Sequence, residues 1–398
     1  MVMKQRIATQ VVHAGREDLC SLGVHVTPID LSSTYPTPDP DAAAASLEAF
    51  VGGAENAVNP VYARLHNPTV ARFERALATL EGAQQAVAFG SGMAALTGVL
   101  LALGDQGRHV VAVRPLYGGT DHLLATGLLG TEVSFVDADA VGAAIRPDTA
   151  LVMIETPANP TVELVDIEAI VRQAGSVPVL VDSTFATPIL QRPLDHGAAM
   201  VLHSATKFLG GHGDVVAGVV ACGAEFAGKL RQVRILTGAI LHPLAAFLLL
   251  RGLSTLRLRV LAAQENAQQL ALRLSRHPQI AKVHYPGMGG QRQNAILNRQ
   301  MAGPGSVLAF EMHSGAEADR MLRSLQLITP AVSLGSVDSL IQRPAALTHR
   351  IVDAQARAEH GISDGLLRMS VGIEDAEDLW SDLAQALEAG RAPMAEAA

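Results

Sequence analysis

Two cysteines in 398 residues, Cys20 and Cys222, are too few for a disulfide framework and lack the spacing of a metal site. That scarcity fits a reducing cytoplasm. No lysine- or arginine-dense stretch occurs and the formal net charge is -8, so the electrostatic footprint of a nucleic-acid binder is missing. No apolar run reaches the roughly eighteen residues of a membrane helix. The longest, residues 238–250, is broken by His242 and Pro243 and reads as a buried or subunit-facing helix. The opening residues carry no apolar core of signal-peptide length, so the expectation is a cytoplasmic protein without export. His13, His25, His66, His109, His203, His212 and His284 are scattered without ligand spacing, and none is expected to bind metal. Repeats and low-complexity linkers are absent apart from an alanine-rich tail after Gly390.

At 49% hydrophobic and 17% charged, the chain is expected to fold into two or three packed units. Residues 1–60 are rich in Ser, Thr, Pro, Gly and Ala, with one helical stretch at 41–51, and read as an arm. From residue 69, helical and short apolar stretches alternate: helices at 70–80, 92–103, 120–129 and 166–174, strands at 85–89, 109–112, 133–136, 150–155, 177–182 and 200–203. This is the pattern of an α/β unit with a mainly parallel sheet covered on both faces. A long helical period at 259–276, a strand at 307–312 and helices at 316–325 and 375–387 then predict a smaller α+β unit. The expected division is arm 1–60, large domain 61–258 and small C-terminal domain 259–398.

One lysine stands out. In Val201-Leu202-His203-Ser204-Ala205-Thr206-Lys207, it ends an apolar run beside two hydroxyls and a glycine-rich turn. Desolvation there would lower its pKa toward nucleophilic use, and a Schiff base with pyridoxal phosphate would account for it. Such a site needs further parts. Asp182, at the end of the buried run 177–182, would keep a pyridine nitrogen protonated. The turn Ser91-Gly92-Met93 follows a strand and opens a helix, a natural phosphate site. Tyr62 and Arg64 lie two residues apart in a proline-bounded segment and offer a hydroxyl and a guanidinium to the same phosphate. Tyr117, in Leu116-Tyr117-Gly118-Gly119-Thr120, offers a stacking ring. Arg368 interrupts an apolar strand and calls for an anion such as a substrate carboxylate, beside the small-residue turn Ala331-Val332-Ser333-Leu334-Gly335.

Together these segments, with Glu155-Thr156-Pro157-Ala158-Asn159-Pro160 between them, resemble the Cys/Met metabolism, or trans-sulfuration, family of pyridoxal-phosphate enzymes. The likeness runs from about Thr9 to Leu387. It implies fold type I, the aspartate aminotransferase fold, and a homotetramer built of tight dimers with active sites shared between subunits. In such an assembly Tyr62 and Arg64 would reach the neighbouring subunit's phosphate, completed by Ser204, Thr206 and the amides of Gly92 and Met93. The resemblance also makes Lys207 the cofactor lysine and proton carrier, Tyr117 the ring-stacking acid or base, Asn159 the contact to the ring oxygen and Arg368 the carboxylate anchor, with Ser333 beside it.

Within the family, several segments are most like bacterial methionine γ-lyases. There are departures: Gly119 stands where those enzymes have cysteine, and Arg234-Ile235 where they have Lys-Asp. Val332 stands where cystathionine γ-lyases have glutamate, and Ser183 where an asparagine is usual. Gly119, Val332, Arg234 and Ile235 are therefore the expected specificity positions. The implied reaction is α,γ-elimination on a sulfur amino acid such as methionine, homocysteine or cystathionine. The alternatives are γ-replacement on an O-acyl homoserine, and a non-catalytic binding protein on the same fold.

Overall fold

The computed structural model describes residues 5–390. Seven strands form the large sheet: β1 (Gln85–Phe89), β2 (His109–Val113), β3 (Glu132–Val136), β4 (Thr149–Glu155), β5 (Val179–Asp182), β6 (Met200–His203) and β7 (Gly218–Cys222). Their order is β1-β7-β6-β5-β4-β2-β3. Strands β2, β4, β5, β6 and β7 are buried along their whole length. Runs such as Ala-Leu-Val-Met-Ile in β4 are continuous rather than alternating because both faces of the sheet are covered.

Six strands run parallel; β7 alone runs against both neighbours. The reason is local. β6 and β7 are joined by residues 204–217 without a crossover helix, and a parallel return requires one. The C-terminal ends of β1, β2, β4, β5 and β6 therefore share one edge, which is where open α/β sheets bind ligands. Close packing fixes β7 against β1: a Cβ on Gly218 would lie 2.1 Å from the Ser91 carbonyl oxygen.

The second sheet comprises β8 (Ile280–His284), β9 (Val307–Met312), β10 (Thr329–Pro330), β11 (Leu340–Gln342) and β12 (Leu366–Ser370), in the order β10-β11-β12-β9-β8. Its core joins Leu308, Phe310, Leu367 and Met369 to the buried faces of the helices Leu256–Leu274 and Ala376–Gly390. The linking helix begins three residues earlier than its apolar period suggested, at Leu256.

The arm holds two helices, Ile7–His13 and Pro40–Val51, of which only the second carries a sequence signal. Asp39 caps the latter, accepting from the N–H groups of Asp41 and Ala42 with Pro40 at its first position. Arg72 ties the arm down by donating to the Gly15 carbonyl at 2.9 Å and pairing with Asp18. Among the described residues no helix is long and apolar enough to cross a membrane.

Candidate active site

The shared strand edge and three segments of the later chain enclose a cavity of about 540 Å³. From the large sheet come Ser91, Gly92, Met93, Tyr117, Asn159, Asp182, Ser204, Thr206 and Lys207; from the later chain come Val332, Ser333, Leu347 and Arg368.

Lys207 sits in the turn that leaves β6. Thr206 locks that turn by exchanging hydrogen bonds with Ala217, its Oγ1 accepting from the Ala217 N–H at 3.0 Å. The Lys207 ammonium donates to Ser333 Oγ at 2.7 Å. Burial first, and then the positive charge of Arg368, lower its pKa to about 8. Ser333 is held with φ +84°, a left-handed conformation unusual for a side-chain-bearing residue. That geometry lets its hydroxyl face Lys207 while its carbonyl accepts from Arg368 Nη2 at 2.7 Å.

Arg368 lies in the middle of β12, 3% exposed. Its Nη1 donates to Asn159 Oδ1 at 3.0 Å, and Gln342, with its amide oxygen turned inward, accepts from Nη2 at 2.9 Å. Its Nε is buried without a partner. Burial draws its pKa down to about 10, a shift opposed by the charge of Glu155. A buried guanidinium with an unused donor at a cavity suits an anionic group of a ligand.

Asp182 ends β5. Both of its bonds from Thr184, N–H at 3.0 Å and Oγ1 at 2.6 Å, fall on Oδ1, so neither uses Oδ2. Burial raises its pKa, against the pull of those two bonds, so a cation delivered to this carboxylate gains a strong partner.

Ser91 caps the helix Gly92–Ala102, accepting from the Ala94 N–H at 3.0 Å, which leaves the Gly92 and Met93 amides at the positive end of the helix. A Cβ on Gly92 would lie 3.1 Å from Ser204 Oγ, so the glycine keeps the space between them open. Tyr117 directly precedes the next helix, Gly118–Thr126, and is 40% exposed.

Five expected residues do not line this chain's cavity. Tyr62 is 45% exposed, and Arg64 packs near its ring while donating to the Ile235 carbonyl at 2.7 Å. Gly119 lies just behind Tyr117, where a Cβ would come within 2.7 Å of the ring. Arg234 and Ile235 also stand away from this chain's cavity. Arg234 is buried in an ion pair with Glu74 and also donates to the Ala88 carbonyl, and Ile235 is buried with Phe50 and Leu65. A charged residue on a helix gives no sign in the sequence that it points inward.

Sequence reasoning passed over Glu155, Thr184, Leu347 and Gln342. Glu155 carried the same signal as Asp182, a carboxylate ending a buried apolar run. It is 5% exposed and accepts from the N–H groups of Tyr117 at 2.7 Å and Asn159 at 3.0 Å. Burial, and then the neighbouring charge of Asp182, raise its pKa well above the usual carboxylate range.

Comparison with known proteins decides the family. The Cys/Met metabolism PLP-dependent enzyme family matches residues 8–388. The chain belongs to that family. A protein of Streptomyces avermitilis named L-methionine gamma-lyase is 59% identical over 387 residues, 97% of this chain and 90% of its own length. One of Brevibacterium sandarakinum with the same name is 53% identical, covering 96% of this chain and 98% of the relative. Among solved structures, cystathionine gamma-lyase from Lactobacillus plantarum, complexed with L-serine, superposes with a TM-score of 0.90 at 35% identity, covering 98% and 100% of the two chains. Cystathionine gamma synthase from Xanthomonas oryzae pv. oryzae gives 0.88 at 36%, covering 98% and 99%. The fold is thus that of these family members, a fold type I enzyme with a larger mixed sheet and a smaller second sheet.

The family's cofactor, pyridoxal phosphate, fits the donor set. Asp182 could face a ring nitrogen, the Gly92 and Met93 amides with Ser204 could hold a phosphate, and Lys207, its pKa lowered to about 8, lines the same cavity.

Proposed function

We propose that the chain is a pyridoxal-phosphate-dependent C-S lyase that converts methionine and water into methanethiol, 2-oxobutyrate and ammonia by α,γ-elimination. The family and the two L-methionine gamma-lyase relatives support the reaction class. One observation carries the choice of substrate: the cavity wall contributed by the later chain presents Val332 and Leu347, each about half exposed, and Val216 lines the same cavity. The charged groups on the cavity are Glu155, Asp182, Lys207 and Arg368, and Arg368 is the one matched to a carboxylate. A thioether suits that apolar wall. The second amino-acid end of cystathionine would find no cation of this chain there among the described residues.

When bound, the cofactor supplies the electron sink that stabilises negative charge at Cα. Lys207 would hold it, and as a free amine with its pKa lowered to about 8 it suits moving a proton near neutral pH. Asp182 would keep the ring nitrogen protonated through Oδ2, which Thr184 leaves unused. Arg368 orients the substrate carboxylate, placing Cα beside Lys207 through the Ser333 bridge that touches both. Tyr117, which lines the cavity, would stack on the ring, and its hydroxyl would be the proton donor to the departing sulfur. Asn159, already bound to Arg368, would contact the ring oxygen.

Tyr62 and Arg64 stand away from this chain's cavity and reach the phosphate of a neighbouring subunit in a homotetramer. The units, arm 1–60, large domain 61–258 and small domain 259–398, divide the work between that contact, cofactor binding and substrate recognition. Two free cysteines, one exposed and one buried, support a cytoplasmic setting. A second reading, γ-replacement on an O-acyl homoserine, is favoured by Gly119.

The test is a product assay on the cofactor-loaded enzyme with methionine, cystathionine and O-acetyl or O-succinyl homoserine, with and without sulfide. Methanethiol and 2-oxobutyrate from methionine, abolished by Lys207→Ala, support the lyase. Silence with methionine and sulfide-dependent homocysteine would make it a replacement enzyme.

A further inference from the structure

Glu155 has no part in the reading above, yet it lines the same cavity. It is the last residue of β4 and pairs in register with Asp182 at the end of β5, so two buried carboxylates stand side by side on the cavity edge. Isolating a carboxylate in the interior is unfavourable, and capping a strand end does not require one. What this position does require is two acceptors at once. Oε2 takes the Tyr117 N–H at 2.7 Å and Oε1 takes the Asn159 N–H at 3.0 Å. A glutamine offers a single acceptor oxygen and could satisfy only one of them.

Both amides belong to residues that act elsewhere in the site. Asn159 accepts from Arg368 Nη1 at 3.0 Å, and Tyr117 carries the ring. The turn holding Tyr117 is pressed from its other side as well. A Cβ on Gly118 would lie 2.0 Å from the Thr348 carbonyl oxygen, and His349 Nε2 approaches the Leu116 carbonyl at 3.2 Å. Burial and the charge of Arg368 lower the His349 pKa to about 4, so a neutral imidazole donates there. With one side of the turn seated on residues 348–349, Glu155 fixes the other.

We infer that Glu155 is a positioning residue that sets the Tyr117 ring and the Arg368 guanidinium through one carboxylate, so that the grip on the substrate carboxylate and the placement of the ring are coupled. This rests on the pyridoxal-phosphate site proposed above, and does not depend on methionine being the substrate.

The experiment uses the cofactor-loaded enzyme with Glu155→Gln and Glu155→Asp. The first readout needs no turnover: circular dichroism in the cofactor's visible band, which reports the asymmetry imposed by the stacked ring, and the affinity for an unreactive amino acid such as glycine. The second is the separation of kcat from KM with whichever substrate is turned over. Glu155→Gln is expected to alter the visible dichroism, weaken glycine binding about fivefold or more and lower kcat roughly ten- to a hundredfold, the scale of an ångström-sized misplacement. Glu155→Asp keeps both acceptors but withdraws them, and should lose less on every measure. It also carries the test if the glutamine variant does not fold. A change confined to thermal stability, with dichroism, glycine affinity, kcat and KM intact, overturns the inference. So does a loss in kcat with glycine affinity unchanged, because the two effects are then uncoupled.

Discussion

The depressed amine of Lys207 should govern how the cofactor-free protein takes up pyridoxal phosphate. Imine formation needs the neutral amine, and burial together with Arg368 brings its pKa from 10.5 to about 8. At pH 7.5 roughly a quarter of the protein would carry neutral Lys207, against about 0.1% for an ordinary lysine, an advantage on the order of two hundredfold. The assay mixes stripped protein with cofactor at pH values from 6.5 to about 10.5 and follows the visible band, with borohydride fixation and peptide mapping to confirm Lys207. The uptake rate should rise about tenfold per pH unit and level off near 8. A stability arm checks the sign. Between pH 8 and 10.5 the unfolded chain binds the proton that the folded amine has lost, so this group's contribution to stability rises with pH across that window. Below pH 8 the full penalty is present, on the order of 3 kcal/mol for the shift of about 2.5 units. Lys207→Met should therefore stabilise the stripped protein at pH 7 and make little difference above pH 10.5. An uptake rate still climbing at pH 10, or no stabilisation by methionine at pH 7, would refute the argument.

Three further outcomes follow from the geometry. Arg368→Lys replaces a guanidinium held by Asn159, Ser333 and Gln342 with a point charge; KM should rise roughly tenfold or more, about 1.5–3 kcal/mol for a charged hydrogen bond, with kcat less affected in steady-state kinetics. Gly218→Ala forces a methyl toward the Ser91 carbonyl, at 2.1 Å in the present backbone; thermal unfolding should show a loss of about 1–3 kcal/mol, and dialysis should show weaker cofactor retention. Val332→Glu places a carboxylate on the apolar wall; it should depress turnover of methionine and favour cystathionine, whose distal ammonium can pair with it, as competition between the two substrates would reveal.

The strands were legible where burial leaves an uninterrupted apolar run. The sequence reading of β1 and β6 coincides with the structure, and β4 differs by one residue. Asp182 and Arg368 announced themselves as charges set into such runs. The strand β7 was missed although Gly218–Cys222 is equally apolar, because nothing in the Lys207 turn signals that the chain doubles back instead of crossing over. The helix Ala224–Thr237 was hidden for the opposite reason: Arg231 and Arg234 point inward, donating to Gly53 and Ala88 carbonyls, which erases the polar-outside pattern. Gly290–Gln300 is so polar that its buried Ile296 and Gln300 give no stripe, and Gln300 works by hydrogen bonds to Ile167, Val165 and Gln191. Glu155 was readable in principle. Its role was not, since the partners it joins lie 38 residues before it and four after it in the chain.

The lone antiparallel strand has a consequence for how such a site can diversify. β7 borders β6, which leads into Lys207, and β1, which leads into the Ser91-Gly92 turn, and so serves as a common ruler for those two segments. Val332, Ser333, Leu347 and Arg368 are measured from a different sheet and its loops. Substitutions on that second scaffold can redraw the outline of the acceptable side chain while the distance from Lys207 to the Ser91-Gly92 turn stays as β7 has set it.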